Sequence, residues 1–283
     1  MSGNHDVTVV ISCFNYGRYV DEAVASALGQ EGGPTRVIVV DDGSDDPATL
    51  AVLERLPAEV ELIHQDNAGP SAARNAGAAA AETPLLMVLD ADDRLRPDAV
   101  RNLRPPLEQD PELAYTYGFI ANVGDWSGVI RFPDYDPFKL LYRPIIGTTW
   151  LMRTTAFEEV GGYDPDVTWS EDWDILLRLL ERDRHGRRVP EVVYEYRRHG
   201  ASKLRSDRGA YRREYRAMRA RHAGLYARAE ELARRSGVSL PVRLTYRLFW
   251  AWRPVPRALE NALYGLVFRR SARSTASSTS SAS

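Results

Sequence analysis

The sequence predicts an α/β fold with a parallel sheet at its centre, on three observations. Short β-branched apolar runs end in polar turn formers, segments with helical apolar spacing separate them, and strand and helix alternate four times before residue 94. Residues 7–12 (VTVVIS) and 36–40 (RVIVV) are nearly continuous apolar runs, as strands buried on both faces are. Between them Val20, Ala23, Val24, Ala27 and Leu28 share a helical face, and Gly32-Gly33-Pro34 closes the segment as a βαβ unit.

The pattern continues with a helix over 48–56, a strand over 60–64, an alanine-rich helix over 71–81 and a strand over 85–89. After Asp93 it loosens into a helix over 97–107, a strand over 114–120 and a Gly/Pro/Asp-rich stretch to about residue 144, which reads as a loop or lid. Order returns at 147–152 (GTTWLM), in a helix over 155–160, in a helix from Glu171 through Leu180, and in a closing strand over 189–196. Residues 207–235 read as one Arg-rich helix, and 241–268 alternate aromatic, aliphatic and arginine residues around Pro254 and Pro256. Residues 271–283, mostly Ser, Thr and Ala, are too polar and simple to pack. The expected organisation is a body over 1–203, a basic helical extension over 204–270 and a disordered tail over 271–283.

With 283 residues, 44% of them hydrophobic and 27% charged, the chain builds a core without metal or disulfide staples. The single cysteine, Cys13, sits in an apolar run, which excludes a disulfide framework and a thiolate metal cluster and fits a reducing, cytoplasmic setting. No stretch of about 18 apolar residues occurs, and the N-terminus lacks a basic segment followed by an apolar one, so neither a spanning helix nor a secretory signal is expected. The net charge of −2 conceals a split: residues 1–202 hold 19 Lys+Arg against 34 Asp+Glu, and residues 203–283 hold 18 against 5. An acidic body therefore carries a basic extension, suited to anionic lipid, nucleic acid or the body itself.

In an open parallel sheet, ligands bind outside the carboxyl ends of the strands. Here each strand ends in polar residues: Asn15, then Asp41-Asp42-Gly43-Ser44, Asp66-Asn67, and Asp90-Ala91-Asp92-Asp93. Carboxylates converging from two strands repel unless a cation or donors offset them, which points to a divalent metal with hard oxygen ligands. The competing reading is that Asp, Asn and Gly merely end strands and cap helices.

Taken in order, the segments VTVVISCFNYGRYVDEAVAS, VIVVDDGSDD, NAGPSAARNAG, LDADD, GGYDP and SEDWDILLRL resemble the GT-A-fold, nucleotide-sugar-dependent glycosyltransferases of family 2. The resemblance covers roughly residues 7–202. It implies a Rossmann-like nucleotide-diphospho-sugar transferase fold and, for the residues, the following roles. Phe14, Asn15 and Tyr16 form the loop under the nucleotide base, and Asp41 or Asp42 accepts from base or ribose. Arg74 reaches the donor by charge-assisted hydrogen bonds, or else pairs with a rim carboxylate, with Gly69 and Gly77 permitting close backbone approach. Asp90, Ala91 and Asp92 match the family's D-x-D motif, Asp92 as direct ligand of Mg²⁺ or Mn²⁺ and Asp90 at the ribose or a metal-bound water, while Asp93 either joins them or starts the next turn. Asp172 is the general base of an inverting transfer, Glu171 binds acceptor or donor, Trp173 offers a sugar platform, and Asp174 caps the helix. His199 completes the metal site or is a plain surface residue.

In the extension, Leu244, Leu248, Trp252, Val255, Leu259, Leu263 and Leu266 recur at helical spacing among arginines, which suits a membrane interface, packing on the body or a dimer contact. The partners expected are a nucleotide-sugar donor, a UDP-sugar first, and a saccharide, lipid-linked or small-molecule acceptor, with peripheral membrane association at the inner face. Absence of spanning helices argues against a synthase that also exports its polymer. A dinucleotide oxidoreductase is disfavoured because no G-x-G-x-x-G follows the first strand, and nucleotidyl transfer because SCFNYGRY is not Gly-rich. Specific nucleic-acid binding lacks a motif, which leaves a non-catalytic sugar-nucleotide-binding or basic scaffold protein as the alternative.

Overall fold

The structure, a computed structural model, describes residues 6–33, 35–125, 127–199 and 208–247. Its first half follows the alternation read from the sequence: β1 (Val7–Cys13), α1 (Gly17–Leu28), β2 (Thr35–Asp42), α2 (Pro47–Leu53), β3 (Val60–Gln65), α3 (Pro70–Ala79) and β4 (Leu85–Asp90). The four strands are parallel, Val9 lying opposite Val37 on one side and Met87 on the other. The apolar run of β1 is buried almost throughout because it sits between β2 and β4 with helices against it. Helix α3 lies close on this sheet at Gly77, where a Cβ would stand 2.3 Å from Val10 Cγ1. Cys13 ends β1 opposite Asp41, buried, and burial pushes its thiol up to about 11.

Beyond Asp93 come β5 (Arg94–Leu95), α4 (Ala99–Gln109), β6 (Leu113–Gly124), β7 (Gly128–Ile130), α5 (Pro137–Leu140), β8 (Leu151–Arg153), α6 (Thr154–Glu159), α7 (Glu171–Glu181) and β9 (His185–Arg198). Among the described residues nine strands form one sheet in the order β3-β2-β1-β4-β8-β6-β9-β5, with β7 on β6. The sheet is mixed rather than parallel: β8 runs antiparallel to β4 and β6, and β5 antiparallel to β9. An apolar run has the same pattern in either direction, so the sequence carried no sign of this reversal. The stretch to residue 144 holds β7 and α5, and the strand expected over 147–152 shortens to three residues anchored by Arg153, whose guanidinium donates to the carbonyls of Leu107, Asp110 and Leu113.

The chain divides into two units, Met1–Tyr135 with Pro144–Arg205, and Asp136–Arg143 with Ser206–Ser283. In the second, the expected single Arg-rich helix is three: α8 (Arg208–Arg221), α9 (Ala223–Ala227) and α10 (Ala229–Arg235), followed by α11 (Leu240–Thr245). The breaks fall at His222 and Arg228, whose backbones leave helical geometry on either side of Gly224. Within this unit Phe138 and Tyr142 of the α5 segment meet Tyr215 and Tyr246, and the Tyr226 hydroxyl donates to the Leu141 carbonyl. Leu240 and Leu244 of α11 are exposed. The remainder of the amphipathic stripe and the Ser-rich tail lie outside the described residues. No helix among those described is long and apolar enough to cross a membrane.

Candidate active site

The loops after β1 and β2 are bonded into one piece. Asn15, at φ 57°, accepts from the backbone N–H groups of Asp45 and Asp46 through its side-chain oxygen, and its Nδ2 donates to Asp45 at 2.7 Å. Its own N–H donates to Ser44 Oγ, and the Gly17 N–H donates to Thr49 Oγ1. The Asn15 side chain thus ties the two loops of the rim together. Beside it, Phe14 is 42% exposed, and Tyr16 is held up to about 12, first by burial and then by Asp92 and Asp90.

Asp41 and Asp42 are both buried, and each accepts hydrogen bonds from its surroundings. Asp42 accepts from Gln65 Nε2 (2.7 Å) and from the N–H groups of Ala68 and Gly69 (2.9 Å each), so it shapes the turn into α3. Asp41 accepts from the Ser44 N–H, and its other oxygen lies 3.0 Å from His64 Nδ1. Of the two, Asp41 is the one with a titratable, largely exposed neighbour on the rim; nothing in the sequence singled out His64.

At the end of β4, carboxylate oxygens of Asp90, Asp92 and Asp93 lie within 4.8 Å of one another. Burial, then Asp90, raises the Asp92 pKa, while His199 opposes the rise. Asp93, the residue left undecided by sequence, is buried, accepts from the Arg197 N–H at 2.9 Å and leaves Oδ2 buried without a partner; burial and its two neighbours push it well up. His199 Nε2 stands 2.8 Å from Asp92 Oδ2, and its ring stacks on Tyr19 and meets Tyr16 edge-on. The pairing of His199 with Asp92 is therefore built by β9 and α1 together. Ala91, between Asp90 and Asp92, is buried in the apolar core.

Arg74 of α3 joins this cluster to α7. It is buried, donating from Nη2 to Asp90 at 2.7 Å and from Nη1 to Glu171 at 3.1 Å, with Asp172 at 3.6 Å. Burial weakens its charge, but Asp90, Asp172, Tyr163 and Glu171 outweigh that and hold its pKa well above the usual value. Of the two readings of Arg74, the structure shows the pairing with rim carboxylates. Asp172 is pushed well up, chiefly by burial, with Glu171 and Asp90 adding and Arg74 opposing. A carboxyl so placed takes a proton more readily than an exposed one.

Two expectations are corrected on this side. Trp173 is 2% exposed: at the first turn of α7 its indole faces inward with Ile175, Leu176 and Leu177, so it offers no face to a sugar. Trp169, four residues earlier in the loop before α7, is 60% exposed and is the aromatic that sequence reasoning passed over. Gly77 serves helix–sheet packing rather than ligand approach. Asp174 is buried and holds Arg178, whose Nη1 donates to the Val160 carbonyl and ties α7 to the Gly161-Gly162 turn.

Residues 8–161, just over half the chain, match the family described as Glycosyl transferase family 2. The chain is 46% identical over 100 residues to the succinoglycan biosynthesis protein ExoO of Rhizobium meliloti (strain 1021), covering 35% of this chain and 28% of that protein. It is 27% identical over 201 residues to the chondroitin synthase of Pasteurella multocida (strain Pm70), covering 69% of this chain and 21% of that protein. This chain thus spans less than a third of the length of these relatives. Among solved structures, S. aureus TarS in complex with UDP-GlcNAc superposes with a TM-score of 0.61 at 17% identity, over 85% of this chain and 78% of that one.

Proposed function

From a chain that belongs to glycosyl transferase family 2, a transferase with the GT-A fold, we propose an enzyme that moves a sugar from a nucleoside diphosphate, UDP first, to an acceptor hydroxyl with inversion. One observation carries the reading: Arg74 lies between a carboxylate cluster at the end of β4 and a buried carboxyl at the start of α7, so an anion-binding group and a proton acceptor face one place. The UDP-GlcNAc held by TarS, which shares the fold, supports a UDP-sugar as donor.

The donor set fits a divalent ion. Asp92 and His199 are in contact, and the buried, unpartnered Oδ2 of Asp93 beside them is a polar atom that folding alone leaves without a use. Asp92 and His199 would hold Mg²⁺ or Mn²⁺, which when bound offsets the negative charge of the diphosphate leaving group. Asp90, fixed by Arg74, presents its carboxylate to the ribose side, and Asp41 to the base. Asp172 takes the proton of the acceptor hydroxyl as that oxygen attacks the anomeric carbon from the face opposite the diphosphate. Glu171, aligned by Arg74, and the exposed Trp169 then form the acceptor side, Trp169 through its ring face.

Titration calorimetry of UDP, GDP and dTDP, with and without Mn²⁺, tests this against wild type and Asp92→Ala. Mn²⁺-dependent binding of one nucleotide, lost in the variant, is the expected result. Binding of none under any metal condition replaces this reading with the basic-scaffold one.

A further inference from the structure

The turn Val160–Tyr163 is bonded more tightly than a surface turn needs to be. Asn75 of α3 grips the Tyr163 backbone on both sides, its Nδ2 donating to the Tyr163 carbonyl at 2.7 Å and its Oδ1 accepting from the Tyr163 N–H at 2.8 Å. Arg178 of α7 holds the Val160 carbonyl from the other end. Gly162 completes the fit: its φ is +70°, and a Cβ there would stand 2.6 Å from Asn75 Oδ1 and 3.0 Å from the Phe157 ring. Helices α3 and α7 thereby fix one ring in one place.

That ring is Tyr163, 1% exposed, edge-on to Phe157, with the Arg74 guanidinium 5.2 Å from its centroid. Its hydroxyl is buried and has no hydrogen-bond partner, and neither has Oδ1 of Asp172, which is equally shut from solvent and has Arg74 Nη1 at 3.6 Å, beyond hydrogen-bond reach. The two side chains are electrostatic neighbours: the carboxylate pushes the phenol up, and the phenol draws the carboxyl down. A buried hydroxyl without a partner is a cost that Phe in the same space would avoid.

We propose that Tyr163 is a positioning residue for the transfer: its hydroxyl donates to Asp172 Oδ1, so that Oδ2 is the oxygen that takes the acceptor's proton. This rests on the reading of Asp172 as the base. The other charged groups around that carboxyl are Arg74 on α3, Glu171 on α7 and Asp90 at the end of β4, and all three are set without Tyr163's hydroxyl.

The test is a ¹³C titration of the aspartate carboxyl carbons in the full chain, with Asp172→Asn to assign the resonance. In Tyr163→Phe the Asp172 midpoint is expected to rise by roughly half to one pH unit, because a donor to the charged form is lost. With 3-fluorotyrosine at position 163, a stronger donor that keeps the ring, it is expected to fall, which preserves the test if the Phe variant folds poorly. Midpoints that move in neither variant overturn the proposal while leaving the base assignment standing. If Asp172→Asn still releases UDP from a UDP-sugar at the wild-type rate, the base assignment itself fails, and the role of Tyr163 with it.

Discussion

Two acidic strand ends that look alike in the sequence, DDGS after β2 and DADD after β4, have opposite electrostatic situations. Asp42 is surrounded by donors, two backbone N–H groups and an amide, and Asp41 has the Ser44 N–H and His64. Asp90, Asp92 and Asp93 crowd one another, and the donors that reach them, Arg74, His199 and the Arg197 N–H, leave one buried oxygen without a partner. The first pair has its acceptors met by protein donors; the second cluster has carboxylates within reach of one another and fewer donors than acceptors, the arrangement that a cation would relieve. The supply of donors, and not the presence of aspartates, separates the two.

The largest effect that bears on this contrast lies across Arg74. Asp172→Asn removes the proposed proton acceptor while keeping the shape, and turnover is expected to fall by roughly 10²- to 10⁴-fold with nucleotide affinity unchanged, read by UDP release beside calorimetry. An equal loss in both would place Asp172 with the donor-binding acids instead.

Next is Asp42→Ala, which strips three donors of their acceptor and is expected to cost about 3 kcal/mol, read by urea denaturation. A variant as stable as wild type would break the contrast, since Asp42 would then not be a structural acid.

The smallest effect has the opposite sign. Because Asp92 is raised by burial and by Asp90, the metal-free native state binds its proton more readily than the unfolded chain does, so this residue's contribution to stability is lost as pH rises through the raised value. Asp92→Asn is therefore expected to be more stable than wild type at pH 7 without metal, with the gap closing as pH falls toward the ordinary aspartate value near ~4. Mn²⁺ is expected to raise the melting temperature of the wild type alone. A variant less stable than wild type at pH 7 would put Asp92 among the structural acids.

The parallel half of the sheet was legible because β1, β2 and β4 are buried on both faces, which leaves an unbroken β-branched run in the sequence. The other half was not. β5 has two residues and no period, β7 and α5 fall in a stretch rich in Gly, Pro and Asp, and the reversal of β8 depends on partners rather than on its own side chains. In the site, the resemblance led to Asp90, Asp92, Asp172 and His199, which the structure gathers near Arg74 or Asp92. It could not foresee that Asn15 and Asp42 bond to backbone N–H groups 26 to 31 residues away, because only the fold brings those groups near. Trp173 and Trp169 differ by four positions, and only the inward face of α7 decides which ring meets solvent. Tyr163 carried a signal in the Gly161-Gly162 pair before it, yet the grip of Asn75 is visible only in three dimensions.

Cys13 carries a consequence of a different kind. Its thiol is at the end of the central strand, shut from water and held up to about 11, so at neutral pH the closed sheet offers a reagent almost no thiolate. Alkylation must then wait for β1 to part from β2 or β4, and the rate at which the chain's single cysteine is consumed becomes a clock for how often the middle of the sheet opens. Ligands that tighten the rim beside it would slow that clock, which makes a residue with no part in the chemistry a gauge of occupancy a few residues away.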